Sequence, residues 1–296
     1  MTTSTDLVHR FLFDDTQIRG EIVTLEHSYH QATEHQMLPS EGKKMLGRFL
    51  AATVLMAETL KIEGTVSLQV RGDAGPVRFA FAEANSNGQL RCMLKMHDNI
   101  AAQDSFFTQD IPSVFQGGVL TITIDPNEGD RYQGIVPLEG DTLAACLEAY
   151  FVRSEQLQTR FYLFADSNRV SGLMLQALPL EIEDNKENAA KREAFNEAWN
   201  TALALSDTLT QEELLSDTHE VLLNKLYNEL PCRLFPGRNL VFGCSCNETR
   251  CANALASLGK DEVNALLQES SPIVIDCEFC AAHYEFDENK LEPLFN

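Results

Sequence analysis

Long apolar runs are missing from this 296-residue chain. No stretch approaches 18 uninterrupted apolar residues, so no membrane-spanning helix is expected. The opening MTTSTDLVHRFLFDD has no basic segment leading into an apolar core, so it does not read as a secretory signal. The cytoplasm is therefore the expected location. Basic side chains are scarce: 23 Lys and Arg stand against 44 Asp and Glu, a formal charge of −21. Phosphate backbones repel such a chain, and nucleic acid is not an expected partner. The sequence has no G-x-x-x-x-G-K-[ST], no H-E-x-x-H and no G-x-S-x-G. ATP-driven chemistry thus lacks its usual phosphate cradle, and the common zinc-protease and serine-hydrolase signatures are absent. The chain is read as a non-enzyme. No internal repeat or low-complexity tract is seen.

What is present is the pattern of an α+β protein. TVSLQVRGD (Thr65–Asp73) and PVRFAFAEA (Pro76–Ala84) alternate apolar and polar residues around the turn GDAG. Asn87-Gly88 is a hairpin signal, followed by another alternating run through Leu90, Cys92 and Leu94. VLTITIDP and RYQGIVPL supply a further pair around PNEGD. Successive antiparallel strands argue against a doubly wound sheet. Met45–Leu60 is apolar round most of a helical circumference and is expected to be buried. Asp141 is the expected cap of a second helix, whose stripe is Leu143, Cys146, Leu147, Tyr150 and Phe151.

The composition then shifts. Residues 181–230 carry 12 acidic and 4 basic side chains and no glycine. A helix with a modest stripe (Ala190, Phe195, Ala198, Trp199, Ala202) and two shorter helices are expected there. Thr210 with Glu213, and Asp217 with Glu220, are the expected capping boxes. Three segments follow: an α+β core over 1–182, an acidic helical linker over 183–238, and a cysteine-bearing domain over 239–296.

Cys244-x-Cys246 and Cys277-x-x-Cys280 are two close pairs separated by a helical spacer. Such pairs bring four thiolates to one tetrahedral Zn²⁺. With four cysteines no coordination position stays open, which argues against a catalytic metal. So small a tail depends on metal for much of its folding energy. Asp261 is the expected cap of the spacer's second helix. Cys251 and His283 are competing ligands by position; Cys251 is read as a buried structural cysteine and His283 as a packing or supporting contact. Cys92, Cys146 and Cys232 are read as packing residues. Zinc keeps thiols in the thiolate form, which is also the oxidisable one, and each pair is spaced to close a local disulfide. Spacing alone leaves three readings open: an inert structural zinc, as in an interaction module that recruits a partner, a redox-responsive zinc, and a thiol–disulfide oxidoreductase built on CEFC.

The sequence resembles the heat-shock protein 33 family, the redox-regulated chaperones of bacteria, over nearly its whole length. The resemblance is carried by LVHRFLFDD, IRGEIVTL, GDAGPVRFA, the long motif ITIDPNEGDRYQGIVPLEGDTLAACLEAYFVRSEQLQTR, and the tail FGCSCNETRCANAL…IDCEFCAAHYEF. It implies an ATP-independent holdase with one zinc on Cys244, Cys246, Cys277 and Cys280 in an inactive reduced form. It further implies that oxidation forms disulfides Cys244–Cys246 and Cys277–Cys280, ejects the metal and unfolds the linker. The active form would be a homodimer that binds unfolding client proteins. One departure concerns the residue after the C-x-x-C, where Gly or Asn is common in the family. Ala281 stands here, so a left-handed turn at that position would be strained.

Overall fold

The computed structural model describes residues 5–60, 63–98, 100–180 and 188–295. The first residues of the expected linker, 183–187, lie outside them. The chain divides into two compact units, Met1–Phe242 and Gly243–Asn296.

In chain order the first unit begins with strands β1 (Leu7–Phe13) and β2 (Ile18–Leu25), then helices α1 (His27–Thr33) and α2 (Ser40–Thr59). Strands β3 (Gly64–Arg71), β4 (Val77–Asn85) and β5 (Gln89–Met96) follow, with short helices α3 (Asp104–Phe107) and α4 (Ile111–Phe115). Next come β6 (Val119–Pro126), β7 (Tyr132–Pro137), α5 (Leu143–Tyr150) with a π-helical extension to Glu155, β8 (Thr159–Ala165) and β9 (Val170–Ala177). Helices α6 (Ala189–Ser206), α7 (Gln211–Ser216) and α8 (His219–Leu226) lead to three short strands, β10 (Cys232–Leu234), β11 (Arg238–Asn239) and β12 (Val241–Phe242).

These elements form two sheets. One runs β10-β1-β2-β9-β8, with β11 also on β1; the other runs β12-β5-β4-β3-β6-β7. All pairs are antiparallel except β12 on β5. The expected α+β architecture is therefore what the chain adopts, and the alternating runs at β3–β7 form the second sheet. The Asn87-Gly88 signal is met by a β4–β5 hairpin in which Gly88 takes φ +78°.

Helix α2 explains how the sheets are joined. It is buried on nearly every side from Met45 to Met56, as its all-round apolar sequence requires. Its core cluster draws Val23, Leu25, Val170 and Met174 from one sheet and Val66, Leu68, Ala80 and Leu120 from the other. The opposite face of the first sheet presents Phe11, Phe13, Ile18, Ile22, Leu173 and Leu175. Helices α6–α8 cover that face with Trp199, Ala202, Leu214, Leu222, Leu223, Leu226 and Tyr227. The ring of Phe11 lies across Gly20, where a Cβ would meet it at 2.1 Å, so this strand crossing requires glycine. The helical segment thus has no separate core; its apolar stripe is completed by the sheet.

Of three expected caps in this unit, two differ and one is met. Thr142, not Asp141, caps α5 by accepting from the Ala145 amide. Thr210 and Glu213 do form a capping box. At α8, however, the cap is Thr218, and the Asp217 carboxylate instead accepts from Lys225 Nζ at 2.7 Å. Asp and Thr are both good caps, and the Lys225 ion pair decides between them here.

One group on the α2 side of the first sheet is electrostatically costly. Glu21 is fully buried, and neither carboxylate oxygen accepts a hydrogen bond among the described residues. Burial pushes its pKa from 4.5 up to about 7, although Arg19, with Nε 4.0 Å away, and Arg10 pull it back. The folded state holds a proton that the unfolded chain releases near 4.5, so this group removes stability as pH rises through about 7. Glu21→Gln is expected to unfold like the wild type at pH 4.5. At pH 8.5 it is expected to be about 3 kcal/mol more stable in urea denaturation.

Candidate metal centre

The second unit comprises α9 (Glu248–Ala256), α10 (Lys260–Glu269), the hairpin β13 (Ile273–Asp276) and β14 (His283–Phe286), α11 (Glu288–Leu291) and a closing 3₁₀ turn. Asn247 caps α9 by accepting from the Arg250 amide. Gly259, in a left-handed conformation at φ +94°, precedes α10. Asp261 sits inside the first turn of α10 rather than capping it; there its charge favours the helix dipole. Leu255, Val263, Phe286 and Leu291 are the only fully buried apolar side chains among the unit's described residues. Four such side chains are far fewer than a unit of this size needs to fold by burial alone.

Cys244 and Cys246 lie on the segment before α9, and Cys277 and Cys280 on the turn between β13 and β14. Their four Sγ atoms lie within 4.8 Å of one another, with Cys244–Cys277 at 3.6 Å and Cys246–Cys280 at 3.3 Å. A tetrahedral Zn²⁺ with Zn–S near 2.3 Å needs sulfurs about 3.8 Å apart, so the donor set fits the ion. These four residues can hold a metal ion.

The surrounding backbone favours thiolates. The amides of Phe279 and Cys280 point to Cys277, that of Ala282 to Cys280, and that of Cys246 to Cys244. The Tyr284 hydroxyl donates to Cys246 Sγ at 3.2 Å. Burial raises the Cys244 thiol, but the Cys246 amide and the adjacent thiols outweigh it and bring it to about 7. Burial and the crowded sulfurs push Cys280 well above the usual thiol range. Four sulfurs this close cannot all ionise unless a cation joins them.

The turn that aims Cys280 carries backbone strain. The Ala281 amide donates to the Cys277 carbonyl at 2.7 Å, and the Cys277 amide to that of Ala282 at 2.8 Å. Ala281 sits at φ +55°, the left-handed conformation that its sequence position suggested. Ala281→Gly is expected to relieve about 1 kcal/mol. The readout is slower amide exchange at Cys280–His283, by roughly fivefold.

The other sequence candidates fall outside the cluster. Cys251 is half-buried against the small core, with its thiol raised by burial and by Cys277 and Cys244. His283 is neither packed nor a ligand. Its exposed ring bonds Asp276 at 2.7 Å and Glu285 at 3.2 Å. Cys92 and Cys146 are buried in the main core, and Cys232 is half-buried on β10. Burial holds all three protonated, with Cys146 and Cys232 at about 11. Such thiols are poor nucleophiles at neutral pH.

Comparison with known proteins points the same way. The Hsp33 protein family profile matches residues 6–287. The chain belongs to the Hsp33 family. The 33 kDa chaperonin of Ectopseudomonas mendocina (strain ymp) is 43% identical over 98% of this chain and 95% of its own length. That of Pseudomonas aeruginosa (strain UCBPP-PA14) is 44% identical over 98% and 94%. The crystal structure of the 33 kDa chaperonin (heat shock protein 33 homolog) of Thermotoga maritima has the same fold, with a TM-score of 0.79 at 22% identity over 98% of this chain and 97% of that one. Membership makes this a chaperone of the heat-shock class, and its relatives are named chaperonins rather than enzymes. No helix among the described residues of this Hsp33 protein is long and apolar enough to cross a membrane.

Proposed function

We propose that this protein is a redox-regulated, ATP-independent holdase acting in the cytoplasm. In the reduced state Cys244, Cys246, Cys277 and Cys280 hold one Zn²⁺, which supplies the folding energy that the small core of Gly243–Asn296 lacks. Oxidant attacks the bound thiolates. Each pair of thiolates would give two electrons to one peroxide, which takes two protons from solvent and leaves as two waters while the Cys244–Cys246 or Cys277–Cys280 disulfide closes. With all four cysteines oxidised the unit would no longer hold a metal, and it would unfold. Loosening of α6–α8 then bares the apolar face of Phe11, Phe13, Ile18, Ile22, Leu173 and Leu175 to unfolding client proteins. The active form is a homodimer. Reduction reverses the cycle.

The observation that carries this reading is the convergence of two sequence-remote cysteine pairs on one four-sulfur cluster inside a unit with almost no core of its own. The test is suppression of aggregation of a thermally unfolding protein, before and after peroxide treatment at raised temperature. Suppression is expected only after oxidation and is lost again on reduction. Equal activity in both states contradicts it.

A further inference from the structure

We infer that His9 and His219 form an acid-operated latch between the first sheet and helices α7–α8, so that protonating the pair releases those helices without any change at the cysteines. The covered face of that sheet carries a polar cluster at one end. There His9 of β1, Thr24 of β2 and Ser171 of β9 stand on three neighbouring strands and meet His219, the first residue of α8. His219 Nδ1 lies 2.7 Å from His9 Nδ1, and its Nε2 lies 2.9 Å from Thr24 Oγ1. Thr24 Oγ1 is in turn 3.0 Å from Ser171 Oγ.

Both tautomer patterns that satisfy this chain place one hydrogen between the two rings. Two nitrogens 2.7 Å apart share a single hydrogen, so one Nδ1 donates and the other accepts. A first added proton can reside on His9, which is part-exposed. A second would put N–H groups on both facing nitrogens and force them apart.

Nothing nearby welcomes that charge. His219 is 7% exposed, at the N-terminus of α8, where the helix dipole opposes a cation. The cavity beside it is also lined by Arg169, whose guanidinium donates to the Leu215 carbonyl and to Glu26. Of the acidic groups, Glu26 is engaged by Arg169, Asp217 by Lys225, and Asp6 by the amides of Glu26, His27 and Ser28. Glu220 points to solvent. Burial, followed by His9, holds His219 well below its usual 6.5, and burial lowers His9 as well.

The sign follows directly. His219 stays neutral when docked and titrates normally when released, so docking is intact above 6.5 and weakens as pH falls below it. Each pH unit then costs about tenfold in docking per proton taken up.

The test uses the reduced, metal-loaded full chain and follows amide exchange, corrected for intrinsic rates, between pH 7.5 and 5.0. Protection of Leu222, Leu223, Leu226 and Tyr227 is expected to fall about thirtyfold relative to Leu173 and Leu175. In the His9→Gln/His219→Gln protein, which retains every thiol, it should fall less than threefold. An equal fall in both overturns the latch. If the double variant is already undocked at pH 7.5, the wild-type His219 ring resonances decide. The latch requires the ring to titrate together with the loss of protection. A ring that titrates with protection intact, or stays neutral while protection is lost, refutes it. The readout involves neither oxidant nor client, so it stands or falls independently of the holdase reading that gives the release its consequence.

Discussion

Replacing Cys246 with serine is expected to unfold Gly243–Asn296 while leaving the first unit intact. Among its described residues the unit buries only four apolar side chains fully, and on the proposed reading the rest of its stability comes from the sulfur cluster. A structural zinc contributes about 10–16 kcal/mol in comparably small modules, and losing one of four thiolates removes several of those. The sheet core of the first unit contains none of the four cysteines. Amide protection in α9 and α10 should therefore vanish, while Leu173 and Leu175 stay protected. Cys251→Ser is the control. That thiol lies outside the cluster, so protection should persist. Retained protection of α9 and α10 in Cys246→Ser would show that the unit folds without its metal.

The second large effect is expected at Tyr227, just after α8. Its ring meets Phe13 edge-on at 4.8 Å and Phe11 at 6.1 Å, and its hydroxyl lies 2.6 Å from Ser206 Oγ at the end of α6. One side chain thus ties two of the covering helices to the sheet. Tyr227→Ala leaves a cavity on β1 and takes from Ser206 Oγ one of its two partners, the other being the Ala202 carbonyl, at a cost of about 3–5 kcal/mol. The loss should fall on the docking of α6–α8, so that the variant binds an apolar dye while fully reduced. A cost under about 1 kcal/mol with no added dye binding would show that the helices are held elsewhere.

The legibility of this architecture in the sequence follows burial. Strands β3 and β4 alternate packed and more open positions over much of their length, and that alternation could be read. The first sheet could not be read in the same way, because β2 and β9 are covered on both faces, by α2 and by α6–α8. Every residue of β9 is buried, so its apolar run has no period. Strands β10–β12 have two or three residues each, too few for any pattern, yet they return the chain after α8 to β1 and β5. The caps were legible only within a residue or two, since Asp217 and Thr218 are equally eligible until Lys225 claims the aspartate. The four-cysteine cluster was legible from spacing because metal chemistry dictates it. The strain at Ala281 was legible too, as a departure from the residue expected at that turn. The His9–His219 contact spans 210 residues and two unrelated motifs, and nothing local announces it.

The most direct test of the whole account follows zinc, thiols and aggregation suppression together during oxidation by peroxide at raised temperature. Release of one Zn²⁺ per chain in step with the loss of the Cys244, Cys246, Cys277 and Cys280 thiols, and with the rise of suppression, is the predicted result. Suppression that rises while zinc stays bound, or zinc that leaves with no gain in suppression, would contradict it.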